Sequence, residues 1–407
     1  MIEPLHPHIW YAWRPQVQST YILFVWNVGS RHDPPSQEGL LHFLEHTLFK
    51  GTSHRRAQAL FDQIERYGGE LNAFTTKDKV AIEIRIASPH LTKALRLLWE
   101  LVHEATFPEA EVEKERQVIL EEIAMYEDIP EESLLDHFEE QVFSAGGLRH
   151  PIIGYPQSIE RITAQSLRAF YEEQLQSAKW LLLLSSGLSI KEVEKHLKHT
   201  PWLHKSPYWT VLASVPEAIA PPTTLHLPRN TLQVHLAIGG IAGLPYDRKQ
   251  SLPLQLLLYE LGGGHMTSRL NLILRERYGW CYSVYTFFHT YPERSVWGLY
   301  AGLSPTALEK ARAFILRELR RWMEHPISSS ALYRIRRAFL GRQTLLSENP
   351  AHLLYLHARY ILDQGAPFSE AEWKEELMSL TPSHLQDAAQ QFFHATYERV
   401  YVPISSD

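Results

Sequence analysis

Several stretches from the first half of the chain return in the second half, in the same order and at nearly the same distance. "TYILFVWNVGSRHDPP" is answered by "TLQVHLAIGGIAGLPYD", and "LHFLEHTLF" by "LLLYELGGG", which pairs Glu45 with Glu260 across 215 positions. Farther on, "ITAQSLRAFYEEQLQSAKWLLLL" is answered by "LTPSHLQDAAQQFFHATYERVYV", which pairs Thr163 with Thr381 across 218 positions. Offsets this similar indicate an internal duplication, so one architecture must be built twice. With 407 residues the chain is long enough for two such cores.

The local patterns say what that architecture is. "STYILFVWNVGS" and "AKWLLLLSSG" read as buried strands, and "AIEIRIAS" alternates with the period of a strand. "RAQALFDQIERYGG", "PHLTKALRLLWELVHEA" and "EAEVEKERQVILEEIAMYED" have helical spacing. Strands and helices mix without strict alternation, which predicts an α+β fold: two homologous domains, each a mostly antiparallel sheet covered by helices. The proline-rich "HKSPYWTVLASVPEAIAPPTT" breaks the pattern. The expected division is therefore a domain over residues 1–205, a linker over 206–224 and a second domain over 225–407.

Composition removes some functions. The net charge of −6 is mild and no basic block is present, so neither nucleic acid nor an anionic membrane is an expected partner. No apolar run approaches the ~18 residues of a membrane span. Cys281 is the sole cysteine, which suits a reducing compartment and an expected cytoplasmic location. The "GGGHMTSRL" stretch lacks the lysine chemistry of a phosphate loop and reads as a helix-end turn.

"LLHFLEHTLFKGT", residues 40–52, places His42, Glu45 and His46 within about one helical turn. Residues four apart share a helix face, so the two imidazoles point together with the carboxylate beside them. Leu41, Leu44 and Leu48 form an apolar stripe next to that face. Burying such polar groups is costly without a partner. A zinc ion suits the donor set, because it binds two neutral imidazoles and one oxygen and keeps a position for water. The adjacent carboxylate can then take a proton from that water. The second half repeats the glutamate but has Leu257 and Leu261 where His42 and His46 would fall. For the third ligand, "EKERQVILEEIAMYED" offers Glu115, Glu121 and Glu122. Glu115 and Glu122 share a face and Glu121 lies on another; periodicity leaves the choice open.

The sequence resembles the pitrilysin/insulinase family of inverted-motif zinc peptidases, in particular its processing-peptidase-like bacterial branch. The resemblance rests on "VGSRHDPPSQEGLLHFLEHTLFKGT", "GGELNAFTTKDKV", "EKERQVILEEIAMYED", "HPIIGYPQSIERIT" and "MTSRLNLILRERYGWCYSVY", in the family's order. It implies one Zn2+ per chain on His42, His46 and Glu122, the last with 75 residues between it and His46. It implies Glu45 as general base and Glu115 as the residue that orients a ligand imidazole. Asn72 and Ala73 match an edge strand on which relatives bind peptide by strand addition. Arg275 and Tyr282, seven apart, match a pair that reaches the scissile peptide and could stabilise an oxyanion; Arg277, Tyr278 and Tyr285 are nearby decoys, and the bland alternative is that all five are ordinary helix-end and strand residues. Leu41 occupies a place where relatives often have alanine, a packing change only. The implied activity is hydrolysis of peptides or unfolded segments within a closed chamber formed by a homodimer. The alternative is a non-catalytic or heterodimeric scaffold or peptide-binding subunit.

Overall fold

The computed structural model describes residues 2–204 and 216–404. They form two compact units. The first comprises residues 2–124, 146–204, Pro216 and 346–368; the second comprises 125–145, 217–345 and 369–404.

The first unit is built on six strands: β1 (Ile2–His6), β2 (Ile9–Trp13), β3 (Ser19–Trp26), β4 (Glu70–Thr75), β5 (Val80–Ala87) and β6 (Trp180–Ser186). Their order across the sheet is β1-β2-β6-β3-β5-β4, and the β2–β6 pair alone is parallel. Strand periodicity sorts the side chains. Ile22, Phe24, Trp26, Leu182 and Leu184 join the core under α1 (Leu40–Leu48), α2 (Leu91–His103) and α3 (Glu109–Glu127). Leu23, Val25, Leu181 and Leu183 point the other way, onto Leu354, Ala358, Ile361 and Leu362 of the Pro350–Gln364 helix. Burial on both faces explains why "WLLLL" is apolar at consecutive positions.

Two lysines meet the carboxyl end of that last helix. Lys79, fully buried, places Nζ 2.8 Å from Asp78 Oδ2 and 3.1 Å from Asp363 Oδ1. Lys179 Nζ donates to the Leu362 carbonyl at 3.2 Å. Cations there complement the helix dipole.

His8, in the turn between β1 and β2, is also fully buried, with the His6 ring 4.5 Å and the Trp180 ring 4.2 Å from its centre. Burial, and then the neighbouring His6, lower its pKa to about 4. Between pH 6.5 and 4 the unfolded chain therefore binds a proton that the folded chain excludes. Stability is fully present above pH 6.5 and falls as the pH drops, by on the order of 3 kcal/mol at pH 4. Urea unfolding of His8→Phe should show a flatter acid limb than wild type; parallel limbs would exclude His8 as the cause.

The second unit has strands β7 (Thr224–Arg229), β8 (Val234–Ala242), β9 (Cys281–Tyr291), β10 (Arg294–Leu303) and β11 (Tyr397–Pro403), in the order β9-β10-β8-β11-β7. Again one pair, β11–β7, is parallel. Strand for strand this reproduces β4-β5-β3-β6-β2, which is the duplication read from the sequence. Helices α4 (Arg248–Gly262) and α5 (Leu308–Glu324) take the places of α1 and α2 in chain order, and Leu257 and Leu261 are buried. The α+β expectation holds in both units.

The expected boundaries at 205 and 225 do not coincide with these units. The Pro130–Val142 helix of the first half packs on β8 and β11, and the Pro350–Gln364 helix of the second half packs on β3 and β6. Helical spacing shows that a segment has an apolar face but not which sheet will cover it, so a cut in the chain cannot express the exchange. Of the 206–224 linker, residues 206–215 lie outside the described residues. Ala218–Ile219 pairs with Phe143–Ala145, and Thr224 opens β7. Among the described residues no helix is long and apolar enough to cross a membrane.

Candidate metal centre

The centre is assembled from residues of α1, α3 and the end of β4 that all belong to the first unit. Gly39 precedes α1 with φ +92°, and a Cβ there would lie 2.5 Å from the Ile153 carbonyl oxygen, so the turn requires glycine. The Asp33 carboxylate accepts the Gly39 N–H at 2.7 Å and the Leu41 N–H at 2.9 Å, satisfying amides at the helix start. Leu40, Leu41, Phe43, Leu44, Thr47 and Leu48 are buried, which turns His42, Glu45 and His46 to the half-buried side.

On α3, Val112, Glu115, Ile119 and Ile123 make the buried stripe, Glu122 is half-buried beside it, and Glu121 is exposed. This separates the three glutamates that periodicity left together. One ligand atom each from His42, His46 and Glu122 fall within 4.8 Å of one another. Glu122 Oε2 lies 3.6 Å from His46 Nε2 and 4.0 Å from His42 Nε2. Donor atoms around a tetrahedral zinc are roughly 3.3–3.5 Å apart, so these residues fit the ion. The other nitrogen of His46, Nδ1, meets Glu115 Oε2 at 3.2 Å. If Nδ1 carries the proton, Nε2 keeps its lone pair toward Glu122. Burial, then the neighbouring His46, push the His42 pKa down to about 3, so this imidazole is neutral and able to ligate.

Glu45 is not among the converging donors. Its Oε2 accepts a hydrogen bond from Thr75 Oγ1 at 2.9 Å. Burial pushes its pKa up, against the hydrogen bond from Thr75. It is thus a carboxylate held by one oxygen beside a cluster of three ligand-type groups, the arrangement expected of a proton acceptor.

Asn72 and Ala73 lie on β4, which is the edge of its sheet and pairs on one side with β5. Arg275 and Tyr282 belong to the second unit. Arg275 is in a π-helical turn over Asn271–Arg277, and its guanidinium is 5.6 Å from the centre of the Tyr282 ring, which is 76% exposed. Tyr285 is instead engaged by Glu131 at 2.7 Å.

Sequence reasoning missed Thr75 and Lys50. Lys50 Nζ lies 2.6 Å from Glu115 Oε1. Neither carried a local signal: Lys50 lies beyond the end of α1 and meets a residue of α3, and the role of Thr75 depends on the approach of β4 to α1.

A duplicated α+β fold in which an H-x-x-E-H helix meets a glutamate from a second helix defines the inverted-motif class of metallohydrolases. Residues 11–155 match the family model described as insulinase (peptidase family M16), and residues 161–339 match the one described as peptidase M16 inactive domain. The chain belongs to the insulinase family, peptidase family M16. It is 30% identical over 297 residues to an uncharacterized zinc protease of Mycobacterium tuberculosis (strain CDC 1551), covering 72% of this chain and 67% of the relative. An uncharacterized zinc protease of Bacillus subtilis (strain 168) is 28% identical over 386 residues, 94% of this chain and 92% of that one. In fold it is similar to the crystal structure of a protease from Helicobacter pylori, with TM-score 0.87 and 22% identity over 97% of this chain and 96% of that chain.

Proposed function

We propose that this chain is a zinc-dependent endopeptidase acting on peptides or unfolded segments. The observation that carries the reading is the convergence of His42, His46 and Glu122 beside a carboxylate, Glu45, that is not itself in the cluster. A zinc ion held by those three residues would supply Lewis acidity and lower the pKa of a bound water toward ~7. Thr75 holds Oε2 of Glu45, so Oε1 is the atom left to take the proton of the attacking water and return it to the leaving amine. The edge of β4, with Asn72 and Ala73, offers backbone groups to an extended peptide, a mode that reads main chain more than side chain. For Arg275 and Tyr282 we propose the part the resemblance implies, contact with the substrate carbonyl. One Zn2+ per chain, a homodimer and a cytoplasmic location complete the reading.

The test is metal analysis and hydrolysis of an unstructured peptide by the purified chain, with light scattering for its oligomeric state. Bound zinc, inhibition by a chelator and recovery on adding zinc are expected. A chain without hydrolysis and without zinc would favour the scaffold alternative. Zinc removal should also lower thermal stability: an ion present at 1,000 times its Kd stabilises by about 4 kcal/mol. A melting temperature indifferent to the chelator would count against an ion bound to the folded state.

A further inference from the structure

Glu115 stands in the buried stripe of α3 between Val112 and Ile119, and a carboxylate in such a place needs partners for both oxygens. It has them. Oε2 faces His46 Nδ1 at 3.2 Å, and Oε1 faces Lys50 Nζ at 2.6 Å. Lys50 follows α1 by two residues, and its N–H donates to the Thr47 carbonyl at 3.1 Å, a turn that fixes where its side chain starts. Its side chain is about one-quarter exposed and that of Glu115 about one-tenth, so this pair is shielded from water far more than an ordinary surface ion pair.

The geometry points to Lys50 as a positioning residue of the metal centre, acting on His46 through Glu115. A carboxylate can rotate about its Cγ–Cδ bond and present either oxygen. With Oε1 engaged by the ammonium in a charge-assisted contact, Oε2 stays on His46 Nδ1. That contact selects the tautomer with the proton on Nδ1 and keeps the Nε2 lone pair aimed at the space shared with His42 and Glu122. Lys50 touches no substrate-facing atom in this scheme; it sets the aim of one ligand.

The inference rests on reading His42, His46 and Glu122 as a metal centre, and the experiment separates the two claims. Zinc chloride is titrated into metal-free wild-type chain, Lys50→Met and Lys50→Arg in competition with a chromophoric chelator. The melting temperature of each metal-free protein is measured alongside. Lys50→Met keeps the aliphatic stem and removes the charge. It should bind zinc about 10- to 100-fold more weakly, the usual cost of losing a group that orients a ligand. Lys50→Arg should recover most of that loss. A purely structural ion pair would instead lower the melting temperature of metal-free Lys50→Met and leave its zinc affinity at the wild-type value. That result would overturn the proposal while leaving the metal centre intact. Failure of the wild type to bind zinc would overturn both.

Discussion

Replacing Glu45 with Gln should lower kcat for an unstructured peptide by about 10²- to 10⁴-fold while bound zinc stays at the wild-type level. The substitution keeps the size and planarity of the side chain, and the amide oxygen can still accept from Thr75 Oγ1, now 2.9 Å from Oε2. What it removes is the capacity to take a proton. Because the residue is not among the three converging donors, the metal should be held as before. KM should change little if the loss falls on the transition state alone. The paired measurement is steady-state kinetics with metal content on the same preparation. Undiminished turnover would remove Glu45 from the mechanism, and joint loss of zinc and turnover would recast it as part of the metal's support.

Lys79→Met should have the largest effect on folding, a loss of about 3–5 kcal/mol in urea unfolding. The ammonium is fully buried between Asp78 and Asp363. Burial alone would raise the Asp78 pKa, yet the charges of Lys79 and Arg359 with the attached hydrogen bonds hold it below the ordinary carboxylate value. A depressed carboxylate contributes stability above its unfolded pKa and loses it as the pH falls through the folded value. Methionine fills the stem's space but leaves two buried carboxylates without the cation they both engage. Neutralising them as well, with Asp78→Asn and Asp363→Asn, should recover much of the loss, since it is the unbalanced charge that is expensive. A single-variant cost below about 1 kcal/mol, the scale of an exposed pair, would show that water reaches the cluster.

Much of this was legible in the residues. The repeated segments gave the duplicated α+β plan because β3 and β6 recur as β8 and β11 with the same neighbours. The spacing of His42, Glu45 and His46 gave one wall of the centre because a nine-residue helix obeys its period. The glutamates of α3 could not be separated by period alone; the difference between half-buried Glu122, buried Glu115 and exposed Glu121 comes from packing against the rest of the unit. Lys50 and Thr75 are tertiary partners of side chains on other elements, and no local pattern marks such contacts. The strands β1 and β2 are five residues each, too short for a periodic signal.

The exchanged helices bear on how the polypeptide emerges from a ribosome. The outer face of the first sheet, with Leu23, Val25, Leu181 and Leu183, is closed by residues that follow position 350. Those three leucines and the valine must stay out of trouble until the segment after position 350 has been made, and the outer face of their sheet cannot be closed by its own half. Any nonsense product ending before that helix would display a greasy strip, a natural target for chaperones and for quality-control proteases.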